Sequence, residues 1–190
     1  MSIKIIKKNI EQHLSVINKL DDNFQSLILS VSQIMSETLR NGNTIFWCGN
    51  GGSASDSQHL AAELVGRYDK ERKPLRSISL TSDSSTLTCI ANDYSFNNIF
   101  SRQLEGLAKE GDMVVGISTS GNSANIINVF KTAKTLKVKS LALLGKDGGA
   151  ALGFCDEFIL VPSNITARVQ ETHILIGHLL CLLIEDQLNL

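Results

Sequence analysis

The stretch from Cys48 to Arg67 reads CGNGGSASDSQHLAAELVGR and puts a glycine-rich turn directly between an apolar run and a helical pattern. The run before it, Thr44 to Trp47, has the composition of a short buried strand, and Ser53 is a residue type that begins helices. A strand, a tight turn and a helix start in this order present backbone N–H groups to an anion. The stretch therefore predicts a strand–turn–helix unit that suits a phosphate group.

The same helix carries a second signal, because His59 and Glu63 are four residues apart. Side chains at this spacing lie on one face of a helix, at the separation that a single metal ion or a proton-transfer pair needs. Two polar residues on the face of a surface helix would give the same pattern. The pair alone leaves both readings open.

From Thr44 onward, apolar runs alternate with helical stretches, which predicts a doubly wound α/β fold with a five-stranded parallel sheet of order 2-1-3-4-5. The chain of 190 residues fits one domain. The predicted strands are Thr44–Cys48, Ser77–Leu80, Met113–Ser118, Ser140–Leu144 and Phe158–Val161. The predicted helical connections are Ser53–Gly66, Ser84–Lys109 as two helices broken near Asn92, Ser123–Leu136 and a short one at Gly149–Gly153, with a final helix at Thr166–Gln187.

Residues 1–41 add a pair of helices before the first strand, with a break at Asp21-Asp22-Asn23 and an end at Asn41-Gly42-Asn43. Their apolar stripes, which include Ile10 and Leu14, need a covering surface. A partner subunit is one candidate, so we expect an oligomer built partly on this pair.

Composition excludes several function classes. The 18 basic and 19 acidic residues give a net charge of −1, which argues against nucleic acid as the main ligand. The apolar segments are too short or too interrupted to span a bilayer, and the amino terminus does not resemble a signal peptide, so we expect a cytoplasmic protein. The four cysteines are scattered singly and are expected to be thiols in the core, namely Cys48, Cys89, Cys155 and Cys181.

A second hydrogen-bonding turn, Ser118-Thr119-Ser120-Gly121-Asn122-Ser123, follows the third strand and leads into a helix. In the predicted strand order the first and third strands are neighbours where the order reverses, which is where such sheets bind ligands. Ordinary helix capping would also explain the turn alone. No G-x-x-x-x-G-K-[ST] or G-x-G-x-x-G motif is present, so nucleotide binding is disfavoured and a sugar phosphate fits better.

The last helix is strongly apolar yet contains Gln170, His173 and His178. A histidine within such a segment needs a partner when it is buried. Gln170 and His178 are two turns apart and could join His59 and Glu63 in a four-donor metal site. A hydrogen-bonded core histidine is the simpler alternative, and it is the interpretation we give to His173.

Taken together, several segments resemble the bacterial phosphoheptose isomerases of the sugar-isomerase (SIS) superfamily. They are GNGGSASDSQHLAAELVGRY, IANDY, STSGNS, the glycine pair near Gly148, and ARVQETH followed by His178. The resemblance runs from end to end and implies interconversion of sedoheptulose 7-phosphate and D-glycero-D-manno-heptose 7-phosphate, for lipopolysaccharide or another surface glycan. It also implies a homotetramer with sites between subunits and a zinc ion in each.

The resemblance also implies roles for residues at matching positions. The metal ligands would be His59, Glu63, Gln170 and His178, the same four that spacing had suggested. Phosphate contacts would be Ser118, Thr119, Ser120 and Ser123, with Ser53 nearby. Contacts to the sugar would be Asn50, Gly51, Gly52, Asn92 and Asp93, with Glu63 and Gln170 also facing substrate and Arg67 a less secure addition. Ala167 stands where some relatives have a carboxylate.

The hypothesis for the reaction is an aldose–ketose isomerisation through a cis-enediol, with Glu63 as the base between C1 and C2 and His178 as the acid/base partner at the oxygens. Two alternatives stay open. One is a non-catalytic SIS protein that binds a replication initiator or another partner, although such a protein would not need Glu63, Gln170 and His178. The other is an isomerase or sensor of a different phosphorylated sugar.

Overall fold

The computed structural model describes residues 2–190 as a parallel sheet of order β2-β1-β3-β4-β5 with helices on both faces, which confirms the predicted fold and strand order. The strands are β1 Ile45–Gly49, β2 Ser77–Ser79, β3 Met113–Ser118, β4 Lys139–Leu144 and β5 Glu157–Leu160. The α-helices are α1 Ser2–Ile17, α2 Asp22–Arg40, α3 Gly52–Val65, α4 Ser84–Asp93, α5 Ser101–Leu107, α6 Ala124–Leu136 and α7 Thr166–Gln187. Short 3-10 helices occupy Phe96–Asn98 and Ala150–Gly153.

Alternate residues of the central strands enter two separate cores, because side chains along a strand point to opposite faces. Trp47 packs in the core beneath α2, α3 and α7, and its indole N–H donates to Ser77 Oγ at 2.9 Å. Phe46 packs on the other face against residues that include Phe130 of α6. Both faces of β1 and β3 are therefore buried, as continuous apolar strands predict.

The break between α1 and α2 lies a few residues earlier than predicted. The Asp21 carboxylate accepts the backbone N–H of Phe24 at 2.9 Å and so caps α2, which places Asp22 and Asn23 inside that helix. Aspartate is a good N-cap because its side chain replaces the missing partner of a first-turn N–H. The predicted break was a helix start rather than a gap.

The prediction that all four cysteines are core residues is wrong for Cys89, which is exposed on α4, and Cys155 is only half-buried. Cys48 and Cys181 are buried as predicted. Within residues 2–190 every cysteine is a free thiol.

Helix α7 has the length and composition of a membrane span, with 22 residues and a mean hydropathy of 1.2 over its 18-residue apolar window, but half of that window is buried inside the fold. It contacts α1, α2, α3 and β4 and also carries the fully buried carboxylate of Glu185. These contacts are those of the core helix of a globular domain. Its amphipathic pattern is weak because it is surrounded by other elements.

Candidate functional site

The carboxyl ends of β1 and β3 lie side by side, with Gly49 paired in register with Ile117. Each strand leads directly into a helix whose first turn receives no hydrogen bond from a capping side chain, α3 after Gly51 and α6 after Ser123. The first N–H groups of a helix have no partner within the helix and carry partial positive charge. Two such helix starts therefore point into one crevice at the reversal of strand order.

The Ser118–Ser123 turn is held in shape by its own hydroxyls. Ser118 Oγ accepts the Gly121 N–H at 3.1 Å and lies 3.4 Å from Ser123 Oγ. Ser120 Oγ accepts the Asn122 N–H at 3.2 Å. In the described part of the chain, the Thr119 side chain has no hydrogen-bond partner. The turn is thus preformed, and its donors are fixed before any ligand arrives.

The turn at residues 148–151 packs against the Ser118–Ser123 turn and supports it. Gly121 has φ +64°, and a Cβ on it would lie 1.8 Å from the carbonyl oxygen of Gly148. The Asn122 side-chain oxygen accepts the Ala150 N–H at 3.0 Å, and the Gly121 carbonyl accepts the Ala151 N–H at 2.9 Å. Only glycine fits at Gly121, and Gly149 is constrained in the same way, because a Cβ on it would lie 2.5 Å from the Ser120 carbonyl oxygen.

Asn50 and Asn125 join the two sides of the crevice with reciprocal amide hydrogen bonds of 2.9 Å each. Asn125 is 2% exposed on the first turn of α6. Asn50 was predicted to contact the sugar, but much of its hydrogen-bonding capacity is used in fixing the turn after β1. Sequence reasoning missed Asn125, whose signal was an amide among the buried and otherwise apolar positions of α6, namely Ile126, Val129, Phe130 and Ala133.

Two histidines and a glutamate from opposite ends of the chain meet beside α3. His59 Nε2 lies 3.0 Å from Glu63 Oε1 and 3.2 Å from His178 Nε2. The two imidazole centroids are 5.0 Å apart. Glu63 is 24% exposed in its side chain, and within residues 2–190 its Oε2 accepts no hydrogen bond. One carboxylate oxygen is therefore available to a substrate.

Gln170 lies apart from that cluster. Helices α3 and α7 run in the same direction, with Leu60 against Gly177 and Gly52 against the Gln170 amide, whose Nε2 is 2.6 Å from the position of a Cβ on Gly52. Gln170 and His178 are eight residues apart on α7, which corresponds to about 12 Å along the helix axis. Gln170 thus lies at the crevice end of α3, next to the predicted substrate contacts Gly51, Gly52 and Ser53.

The donor atoms suit a divalent ion in type. Ligands about 2 Å from a tetrahedral ion lie roughly 3.3 Å from each other, close to the distances of 3.0 and 3.2 Å in this cluster. The contacts form a chain from Glu63 through His59 to His178, and in the described residues no three His, Cys, Asp or Glu side chains surround one common point. The metal site therefore stays a prediction, which the donor atoms of His59, Glu63 and His178 fit and the position of Gln170 does not.

Asp56 lies one turn before His59 on α3, and its Oδ2 is buried without a hydrogen-bond partner in the described residues. Burial raises the pKa of the Asp56 carboxyl, and the nearby His59 lowers it in part. The sequence offered no signal for this residue beyond its position three residues before a histidine.

The remaining predicted contacts do not join the crevice within one chain. Asn92 and Asp93 lie exposed at the end of α4, where the Asn92 amide donates to Asp93 Oδ1 at 2.8 Å. The Arg67 guanidinium is 59% exposed and lies 3.8 Å from Glu71. His173 is buried, and its Nε2 lies 3.0 Å from the Leu144 carbonyl, in agreement with a structural role.

Comparisons with known proteins cover the whole chain. Residues 9–145 match the family model of the SIS domain. Phosphoheptose isomerase from Aliarcobacter butzleri is 49% identical over 189 residues, which is 100% of both chains. The solved phosphoheptose isomerases from Neisseria gonorrhoeae and Francisella tularensis superpose with TM-scores of 0.93 and 0.95 at 37% and 34% identity. They cover 98% of this chain and 100% and 99% of their own.

Proposed function

The chain belongs to the phosphoheptose isomerase family of SIS-domain proteins, and on that premise we propose that it interconverts sedoheptulose 7-phosphate and D-glycero-D-manno-heptose 7-phosphate. The reaction moves a carbonyl between C2 and C1 of one sugar phosphate, so it is an aldose–ketose isomerisation. The chain is accordingly a sugar phosphate isomerase.

The observation that carries this function is that α3 joins the crevice, at its first turn, to the reactive cluster further along the same helix. Its first turn opens on the crevice between β1 and β3, and His59, whose ring contacts Glu63 and His178, follows about 10 Å along the same helix. An extended seven-carbon sugar phosphate is long enough to join these two places. The phosphate would lie at the helix starts, and C1 and C2 would lie beside the His59–Glu63–His178 cluster.

The phosphate grip we propose is Ser118, Thr119, Ser120 and Ser123, with Ser53 nearby. Ser123 supports it, because it stands at the N-cap of α6 without making the usual capping hydrogen bond. Its hydroxyl and the first N–H groups of α6 can then donate to phosphate oxygens instead. Gly51, Gly52 and Gln170 would border the sugar from the α3 side.

Glu63 is the proposed base, and the unoccupied Oε2 supports this role. A carboxylate that holds His59 with one oxygen and has the other free can take a proton from C1 and return it to C2. His178 would donate a proton to the carbonyl oxygen and accept one from the neighbouring hydroxyl. His59 orients both groups, since its Nε2 contacts each of them.

By family resemblance a zinc ion would be held by His59, Glu63, Gln170 and His178. In one chain His59, Glu63 and His178 lie together, whereas Gln170 lies apart from them beside Gly52. When bound, the ion would supply a positive charge that polarises the carbonyl. Imidazole ligands bind a metal through a nitrogen lone pair, so the facing Nε2 atoms of His59 and His178 are the ones that would be turned toward the ion.

We propose that the working form is a homotetramer with the site completed between subunits. The polar residues Asn9 and His13 of α1 face α7. Asn9 Oδ1 lies 3.4 Å from Arg168 Nη1 and His13 Nδ1 lies 2.8 Å from Glu171 Oε2, whereas most isoleucines of α1 face outward. A surface helix normally has the opposite arrangement, so a covering subunit is expected. The outward side chains are Ile3, Ile5, Ile6, Ile10 and Leu14, each 52–61% exposed.

The exposed Asn92 and Asp93 would then reach substrate bound in a neighbouring subunit. The heptose phosphate product would supply a lipopolysaccharide or another surface glycan, from a cytoplasmic enzyme. The family comparison and a net charge near zero support a small-molecule substrate rather than nucleic acid.

The test is incubation of the purified protein with sedoheptulose 7-phosphate, followed by identification of the product by NMR. Arabinose 5-phosphate and fructose 6-phosphate serve as competing substrates. Preferential formation of the heptose aldose supports the proposal. Faster conversion of a shorter sugar would reassign the substrate, and no conversion of any sugar by folded protein would favour the non-catalytic alternative.

A further inference from the structure

The loop after α3 is fixed by a carboxylate that is entirely buried at the end of α7. Glu185, with 0% of its side chain exposed, accepts the backbone N–H groups of Tyr68, Asp69 and Lys70, each at 3.0 Å. Three backbone donors and an arginine compensate the loss of water around this charge. Burial acts to raise the pKa of Glu185, but the hydrogen bonds outweigh it and leave that pKa below its usual value.

Arg72 completes the arrangement from the same loop. Its Nε donates to Glu185 Oε1 at 3.0 Å, and its side chain is 1% exposed. Its terminal nitrogens donate to the carbonyl oxygens of Glu63 and Leu64 at 2.8 Å each and of Gly66 at 3.1 Å. These carbonyls belong to the last turn of α3, where a helix lacks internal donors and favours a cation.

This buried pair ties the loop to the two helices that carry the reactive cluster, α3 and α7. The loop in turn lays the ring of Tyr68 against His178, with centroids 5.4 Å apart and planes tilted by 36°. His178 thus contacts His59 and Tyr68. The orientation of an imidazole decides where its nitrogens point, so a fixed neighbour of this kind bears on proton transfer.

We propose that Tyr68 is a positioning residue for His178, and that the Glu185–Arg72 pair is the clamp that holds Tyr68 in place. The proposal rests on the proposed function of His178, and nothing in the reaction hypothesis above requires it. The aromatic ring is the operative part, because within residues 2–190 the Tyr68 hydroxyl makes no hydrogen bond.

The test compares Tyr68→Phe, Tyr68→Leu and Glu185→Gln in the intact protein. Tyr68→Phe should retain nearly wild-type turnover because the ring remains. Tyr68→Leu should lower kcat by about 10- to 100-fold with a smaller change in KM, since misplacement of a catalytic group by about 1 Å has effects of this size. Phe158→Leu, which removes a ring 43% exposed on the edge strand, is the matched control and should leave kcat unchanged.

A second readout does not depend on activity. With only four histidines in the chain, the imidazole 15N signals can be assigned by substitution, and Tyr68→Leu should shift those of His178 while leaving those of His13 unchanged. Glu185→Gln should shift the same signals wherever the protein still folds, whereas Glu110→Gln, which breaks an exposed pair with Lys137, should not. An unchanged His178 signal together with normal kcat in Tyr68→Leu would overturn the proposal. If the wild-type protein has no isomerase activity but Tyr68→Leu still shifts the His178 signals, the proposed function is overturned and the positioning of His178 by Tyr68 stands.

Discussion

His59 Nε2 and His178 Nε2 lie 3.2 Å apart, although 119 positions separate the two residues in the chain. The contact exists because α3 and α7 run side by side, with Gly177 small enough to accept Leu60 against the helix backbone. A side chain at Gly177 would separate the helices. The reactive cluster therefore depends on the packing of α3 against α7 as much as on its own residues.

Removal of a bound divalent ion should abolish isomerase activity, and zinc should restore it. Dialysis against a chelator followed by elemental analysis and activity assay measures both effects. His178→Ala should lower the metal content per chain because it removes one donor, whereas His13→Ala, which alters a histidine paired with Glu171, should not. Full activity in metal-free protein would contradict the proposed cofactor.

Ser123→Ala should raise KM for the sugar phosphate by about 10-fold, the effect of losing a hydrogen bond to a charged group. It should leave Tm nearly unchanged, because Ser123 makes no capping hydrogen bond in the free protein. Asp83→Ala is the control, since Asp83 accepts the N–H groups of Ser85 and Thr86 at the start of α4 and should lower Tm without raising KM. A fall in Tm for Ser123→Ala would assign it to ordinary capping.

Asn125→Leu should destabilise the protein by about 1–3 kcal/mol, because it leaves the Asn50 amide without its partner. It should also raise KM by loosening the turn after β1. Urea unfolding and steady-state kinetics measure these changes. Asn128→Leu on the same helix is the control, since the Asn128 amide donates to the exposed Asn97 carbonyl at 3.1 Å and, at 3.4 Å, to Asn98 Oδ1, and is not paired with a buried amide.

The free energy of unfolding should fall in acid because of His173. Burial lowers the pKa of His173 to about 4, and a hydrogen bond between its ring and the Leu144 carbonyl opposes only part of this shift. The unfolded chain binds a proton below about pH 6.5, whereas the folded chain does not until about pH 4. His173 therefore contributes its full stabilisation above pH 6.5 and loses about 3 kcal/mol of it by pH 4. His173→Gln should flatten this part of the urea-unfolding profile, and an unchanged slope would contradict the assignment.

Much of the fold was predictable because each strand is a continuous apolar run closed by a turn signal. The run Met113–Ser118 and the helix Thr166–Gln187 were predicted with the bounds that the structure has. Spacing also brought His59 and Glu63 together, because the separation of four residues is a property of any helix. These inferences needed only local geometry.

Contacts between elements that are distant in the chain could not be predicted from the sequence. The pairing of Asn50 with Asn125 depends on the register of β1 and β3, and the distance of Gln170 from His178 depends on how α7 lies along α3. Cys89 was misassigned because residue type says little about which face of a short helix is exposed. The clamp at Glu185 gave no sequence signal, since a carboxylate near the end of a helix usually faces solvent.

The most direct test of the account is the conversion of sedoheptulose 7-phosphate in deuterated water by the wild-type protein and by Glu63→Gln. A base that carries the proton between C1 and C2 exchanges it with solvent, so the wild-type product should carry deuterium at C2. Glu63→Gln should remain folded, by circular dichroism, and form no product above background. Near-normal turnover by Glu63→Gln, with the same deuterium content, would contradict the central claim that Glu63 is the base of this site.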